Sequence, residues 1–177
     1  VTGLQFLMGL GSALALNKKF PGRSLVRSVV VLPWVIPGVV AAMVWTLVLD
    51  AQLGFLGAVL RWIGLLDGYI DFLGTPSLAM PSVIIAATWK GFGFSTLMYM
   101  AALQGTSVEL YEAAAVDGAN ALKKFFYITM PSISHIISMT LTLTGIWTFN
   151  YFEIIYNMTG GGPLRLTHIM PTYIYEL

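Results

Sequence analysis

EAAAVDGANALKKFFYITMPSI, residues 112–133, lies between two long apolar runs and gathers Glu112, Asp117, Lys123 and Lys124 in a chain of which only 10% is charged. A short polar stretch with apolar flanks is what joins two membrane-crossing helices, so the flanks decide the fold. On the N-terminal side, residues 81–103, PSVIIAATWKGFGFSTLMYMAAL, hold a single charge, Lys90. On the C-terminal side, residues 132–152, SISHIISMTLTLTGIWTFNYF, hold none. Each meets the ~20 residues that a spanning helix needs.

Further out, residues 28–49, SVVVLPWVIPGVVAAMVWTLVL, are uncharged over 22 positions and predict another span. Pro33 and Pro37 inside it would break a soluble helix, but a membrane helix tolerates them when neighbours satisfy the freed carbonyls. Residues 1–16 are apolar and slightly short for a span; Lys18 and Lys19 follow the run instead of preceding it, which is not the order of a signal peptide. With 57% hydrophobic residues and a mean hydropathy of +0.80, the composition is that of a membrane protein. The expectation is an all-α, polytopic integral membrane protein forming one domain over 1–177.

Charge sets the direction of the spans. Loop 17–27, NKKFPGRSLVR, carries Lys18, Lys19, Arg23 and Arg27 without an acid. Loop 50–80 carries Asp50, Asp67 and Asp71 against Arg61, and loop 104–131 carries Lys123 and Lys124. The positive-inside bias puts 17–27 and 104–131 in the cytoplasm and 50–80 and 156–170 outside. The second vote is weaker, because Glu109, Glu112 and Asp117 share that loop.

Several function classes are excluded. Nine Lys/Arg nearly cancel eight Asp/Glu, so no general affinity for nucleic acid is implied. The absence of cysteine removes disulfides and thiolate metal sites, and His135 and His168 lie too far apart for a zinc-ligand spacing. TGGGP, 159–163, is a turn cluster, and no GxxxxGK[ST] phosphate loop exists in the chain.

Within the opening stretch, Thr106 followed by Glu109 fits a capping box, so a helix begins near Ser107. Leu110, Ala113, Ala114 and Asp117 then share one face. Gly118 ends that helix; Asp117 is placed to cap a second one through Asn120 to Ile128, and Pro131 suits the first turn of the next span. Ala113 and Ala114 offer almost no side-chain bulk, and Glu112 stands beside them. A helix lying on the membrane would want large apolar anchors and basic residues instead. The pattern is that of a docking element.

The stretch resembles the EAA loop of ABC importer permeases: Glu112, Ala113 and Ala114, then Gly118, then Ile128, Met130 and Pro131 after nine intervening residues. Met130 replaces the usual Leu. LYEAAAVDGA with the preceding Leu103-Gln104, the early LPWVIP, and TGGGP followed by TYIYE are similar to the carbohydrate-uptake, maltose-type branch. The similarity runs in order along the whole chain. It implies a permease paired with a second permease, two ATPase subunits that carry the ATP and Mg, and an extracytoplasmic sugar-binding protein. It also implies a prokaryotic inner-membrane location, a span before residue 1 and another after residue 177. Glu112, Ala113, Ala114, Asp117 and Gly118 would make the coupling helix. The chain itself would bind no cofactor and would not be an enzyme.

The resemblance also implies a sugar path lined by Lys90, Gly91 and Phe94 from one span and by Thr144, Trp147, Thr148 and Tyr151 from another. Independently, 144, 147, 148 and 151 fall on one helix face. Rings stack on sugar C–H faces and hydroxyls bond sugar hydroxyls. Trp and Tyr near a span end are equally the mark of an interfacial belt. Asn150 and Glu153 are expected to face other helices or the outer mouth. Lys90, nine residues from Pro81, sits on the order of 13 Å along its span. At that depth it either snorkels along Trp89, donates to carbonyls of a broken helix near Gly91 and Gly93, or faces the path. The alternative class is a gradient-driven secondary transporter or channel subunit. Such a protein would place ionisable pairs in mid-span, and no span holds an acid to match Lys90.

Overall fold

The computed structural model describes all residues, Val1–Leu177, and is helical throughout. Ten α-helices follow one another: α1 (Thr2–Asn17), α2 (Arg23–Val35), α3 (Gly38–Val48), α4 (Phe55–Trp62), α5 (Pro76–Gln104), α6 (Val108–Val116), α7 (Ala121–Lys124), α8 (Met130–Phe149), α9 (Phe152–Thr159) and α10 (Met170–Tyr175). A π-helical turn, Phe125–Thr129, joins α7 to α8. Two compact units are formed: residue 1 with 35–90 and 146–177, and residues 2–34 with 91–145.

In the first unit, α3, the first half of α5 and α9 bury Ala42, Leu49, Val83, Ala86, Ala87, Ile154, Ile155 and Met158. Small residues on α5 let the helices approach closely. Trp45 meets Trp89 edge-on, with ring centroids 5.9 Å apart. In the second unit, Leu10, Ala13 and Leu16 of α1 pack on Tyr99, Met100 and Leu103 of α5 and on Ile133 and Ile137 of α8. The buried positions of α8, Ile133, Ile137, Thr140 and Thr144, recur at the helical period and form one stripe. At Gly93 the backbone of α2 comes so near that an added Cβ would stand 2.7 Å from the Val30 carbonyl oxygen.

The expected single span over 28–49 is instead two helices bent by 102°. Pro37 lacks the N–H that would continue α2, Ile36 leaves the helix, and α3 restarts at Gly38 with Pro37 in extended geometry before it. The run expected to span from Pro81 is a helix that begins five residues earlier, at Pro76, and runs to Gln104, but its mean hydropathy falls short of that of a membrane-crossing helix. Pro76 suits a first helical position, where its missing N–H costs nothing. By length and apolarity, Ala121–Phe149 is long enough to cross a membrane alone, and α2 with α3 passes as a bent pair. Many large apolar side chains face outward, including Leu25, Val29, Leu32 and Leu47, a surface that water would not tolerate over this area.

The loop between α3 and α5 is held by two aspartates. Asp50 Oδ1 accepts from the backbone N–H of Leu53 at 2.8 Å and of Gln52 at 2.9 Å. These bonds, Leu53 first, hold its carboxyl below the usual carboxylate range. Asp71 Oδ1 does the same for Gly74 and Leu73. The TGGGP turn closes on itself: Gly160, left-handed, caps the end of α9, and the Thr167 hydroxyl donates to the Gly162 carbonyl.

Candidate functional site: the coupling loop and the membrane path

Ser107, not Thr106, caps α6, its hydroxyl accepting from the Glu109 N–H at 3.3 Å. Asp117 closes the helix at its C-terminal end instead of opening the next one. Gly118 then takes φ +75, and the Ala119 N–H bonds the Ala114 carbonyl at 2.8 Å. That is the left-handed stop that favours glycine. Asn120 caps the following helix, Oδ1 accepting from the Lys123 N–H at 2.9 Å. The separate short helix expected from Asn120 to Ile128 does not end there: α7, the π turn and α8 make one continuous helix from Ala121 to Phe149. The widened turn lies just before Pro131, which cannot donate to the Tyr127 carbonyl four residues back; the Met130 N–H reaches Phe125 instead.

α6 is fastened to this helix by one bond, Tyr111 Oη to Thr129 Oγ1 at 2.9 Å. Tyr111 and Ala114 are half-buried as a result, whereas Glu112 and Ala113 are exposed. The exposed surface is more apolar than the EAA letters imply, because Val108, Leu110 and Val116 lie open as well, Val116 at 88%.

The expected path residues are divided between the units. Gly91, Phe94 and Thr144 belong to the second; Lys90, Trp147, Thr148 and Tyr151 belong to the first. Gly91 is buried, and Phe94 packs on Trp34 with centroids 5.5 Å apart. Thr144 completes the buried stripe of α8, and its hydroxyl donates back to the Thr140 carbonyl at 2.8 Å. Trp147 is 39% exposed, and Thr148 edges an apolar cleft with Phe149, Ile169 and Met170. Tyr151 is not on the same helix face: α8 ends at Phe149, and Tyr151 precedes α9. The chain breaks there because Asn150 turns back, its N–H bonding the Trp147 carbonyl at 2.9 Å.

Lys90 stands at the midpoint of α5 and is half-buried. Its Nζ donates to the Ile36 carbonyl at 3.0 Å, at the break between α2 and α3. A broken-helix carbonyl is among its expected partners, but the break is not the one near Gly91 and Gly93. The acid that acts on Lys90 is Glu153, which lies just beyond the last apolar run. Sequence reasoning missed this pairing, since nothing in linear order links residues 63 positions apart.

The trehalose/maltose transport system permease protein MalF of Thermococcus litoralis is 37% identical over 160 residues, covering 90% of this chain and 54% of that protein. The sulfoquinovosyl glycerol transport system permease protein SmoG of Agrobacterium fabrum is 35% identical over 169 residues, covering 96% and 54%. The chain thus spans about half the length of these relatives. A crystal structure of a bacterial alginate ABC transporter, in complex with alginate pentasaccharide-bound periplasmic protein, superposes with a TM-score of 0.83 at 31% identity, covering 99% of this chain and 63% of that one. Residues 6–177 match the family described as "Binding-protein-dependent transport system inner membrane component", and with nearly the whole chain matched, the protein belongs to that family.

Proposed function

We propose that the chain is the membrane-spanning permease subunit of an ATP-driven importer for a sugar or oligosaccharide. The observation that carries this is α6, a capped helix tied to the 29-residue helix Ala121–Phe149 and presenting Glu112, Ala113 and a rim of exposed apolar residues. A partner ATPase subunit covers that face from the cytoplasm. ATP and Mg stay on the ATPase pair, in keeping with a chain that has no phosphate loop of its own. A second permease completes the path, and an extracytoplasmic binding protein delivers the substrate in the multi-pass inner-membrane assembly. A carbohydrate substrate is supported by the names of the relatives and by the exposed Trp147 ring beside Thr148. Phe94, Gly91 and Tyr151 belong to the same path by family position. Thr144 shapes it through helix packing rather than through its hydroxyl.

Purification of the full-length protein under mild detergent tests the reading. A sister permease and an ATPase pair should co-purify, and a homo-oligomer alone would overturn it. Single cysteines at Asp67 and Leu164, both exposed, should react with an impermeant thiol reagent from outside the cell. Labelling that requires permeabilisation would invert the topology. The gradient-driven alternative gains one observation, the proximity of Glu153 to Lys90, and predicts uptake without any ATPase partner.

A further inference from the structure

The break between α2 and α3 exposes two helix ends of opposite polarity. α2 stops at Val35 and leaves carbonyls; α3 starts at Gly38 and leaves N–H groups, with no side-chain cap at Pro37. At membrane depth such ends need partners from elsewhere in the protein. Two side chains of opposite charge arrive there. Lys90 of α5 donates to the Ile36 carbonyl at 3.0 Å. Glu153, in the first turn of α9, lies directly on Gly38; a Cβ at that position would overlap the Glu153 carboxylate. The cation therefore serves the carbonyl side of the break, and the exposed Glu153 carboxylate stands against the first residue of α3, near the helix end whose partial charge is positive. Glu153 also attracts Lys90. Ile36, Gly38, Lys90 and Glu153 all lie within the first unit.

We propose that Lys90 and Glu153 form an electrostatic clamp on this break, acting as positioning residues that fix the start of α3 against α5 and α9, and not as ligands of the transported molecule. Three elements meet at the clamp, and none of them carries its own solution. Pro37 cannot cap with a side chain, α5 brings a lysine to the centre of a 29-residue helix, and α9 brings an acid to its first turn. Removing one charge leaves the other without its match, so the two substitutions should not add. An alanine at 38 would have to displace the carboxylate, which occupies the space of a side chain.

The transport arm of the test rests on the proposed function; the stability arm does not. The full-length chain, assembled with its partners, is compared as wild type, Lys90→Met, Glu153→Gln, the double variant, Lys90→Arg and Gly38→Ala. Thermal unfolding of the purified complex and uptake in proteoliposomes are measured for each. Each single charge removal should lower the unfolding midpoint and cut kcat by about tenfold, with KM for the loaded binding protein within about twofold of wild type. The double variant should be no worse than the more damaging single one. Lys90→Arg should restore kcat, since it keeps a cationic donor, and Gly38→Ala should match Glu153→Gln by displacing the carboxylate. Multiplying losses in the double variant would sink the clamp, as would a raised KM with kcat held on Lys90→Met, the mark of a substrate ligand. Should Lys90→Met fail to assemble, Gly38→Ala with Glu153→Ala decides the matter. The alanine at 38 must become harmless once the carboxylate is gone, and persistent damage would overturn the proposal. Absence of uptake in wild type would count against the importer while the unfolding comparison still judges the clamp.

Discussion

Gly93→Ala should destabilise the protein, although alanine is the better helix former. The added Cβ would stand 2.7 Å from the Val30 carbonyl oxygen and 3.3 Å from the Val31 Cα. Ordinary contact begins near ~3.5 Å, so the first distance is about 0.8 Å short. Both of these atoms belong to the backbone of α2, which cannot swing aside as a side-chain tip does. Separating α2 from α5 would also strip the Trp34–Phe94 ring contact one residue further on. Overpacking of this kind costs about 1–3 kcal/mol. Gly11 in α1 supplies the control, because an added Cβ there meets nothing within 4 Å. Gly11→Ala should therefore gain about 0.5–1 kcal/mol from reduced backbone freedom. The same chemical change thus has opposite signs at two helix positions, separated by about 1.5–4 kcal/mol. Unfolding in a mild detergent titrated with a denaturing one, followed by tryptophan fluorescence, measures the gap. Equal shifts for the two variants would mean that propensity alone acts and that α2 does not press on α5 at Gly93.

Two further outcomes are expected. Gly118→Pro forces φ from +75 towards about −65° and should leave membrane insertion intact while separating ATP hydrolysis from uptake in the assembled transporter; Ala114→Trp, at a half-buried site, should do the same, and normal uptake by both would remove the coupling role of α6. At Asp50 the folded-state pKa is depressed, so the turn it holds is fully present above the ordinary carboxylate pKa and is lost only as pH falls through the lower, folded value; amide exchange at Gln52 and Leu53 should stay protected at pH 5 and rise only in stronger acid, an effect absent in Asp50→Ala.

The helical architecture and the bend at Gly118 were legible because both are written in local order. Long apolar runs mark α3, α5 and α8, the second broken only by Lys90, and Gly118 alone announces the bend that its positive φ confirms. Boundaries were read less well. Ser107 and Thr106 are chemically equivalent caps, and only the backbone geometry chooses Ser107. Pro131 looked like a helix start, yet the π turn before it absorbs the missing hydrogen bond and lets the helix continue. Pro37 was visible as a breaker, but whether a membrane helix kinks or parts depends on what waits to receive the freed groups. Lys90 receives the Ile36 carbonyl, and that meeting is tertiary. The single helix face drawn for the path fared worst for the same reason. A face drawn through Thr144, Trp147, Thr148 and Tyr151 assumes a helix that does not end at Phe149.

The unbroken helix from Ala121 to Phe149 is a mechanical lever. Its 29 residues measure about 43 Å at 1.5 Å per residue. A flexible linker at its start would absorb a small push as slack, but the Asn120 side chain caps that start and the Tyr111–Thr129 bond ties α6 to its third turn. Tilting such a rod by ~5° about one end sweeps the other through about 4 Å, more than a hydrogen bond's length. Any tilt at the start of the helix would thus grow with distance along it, and Phe149, its last residue, would travel furthest.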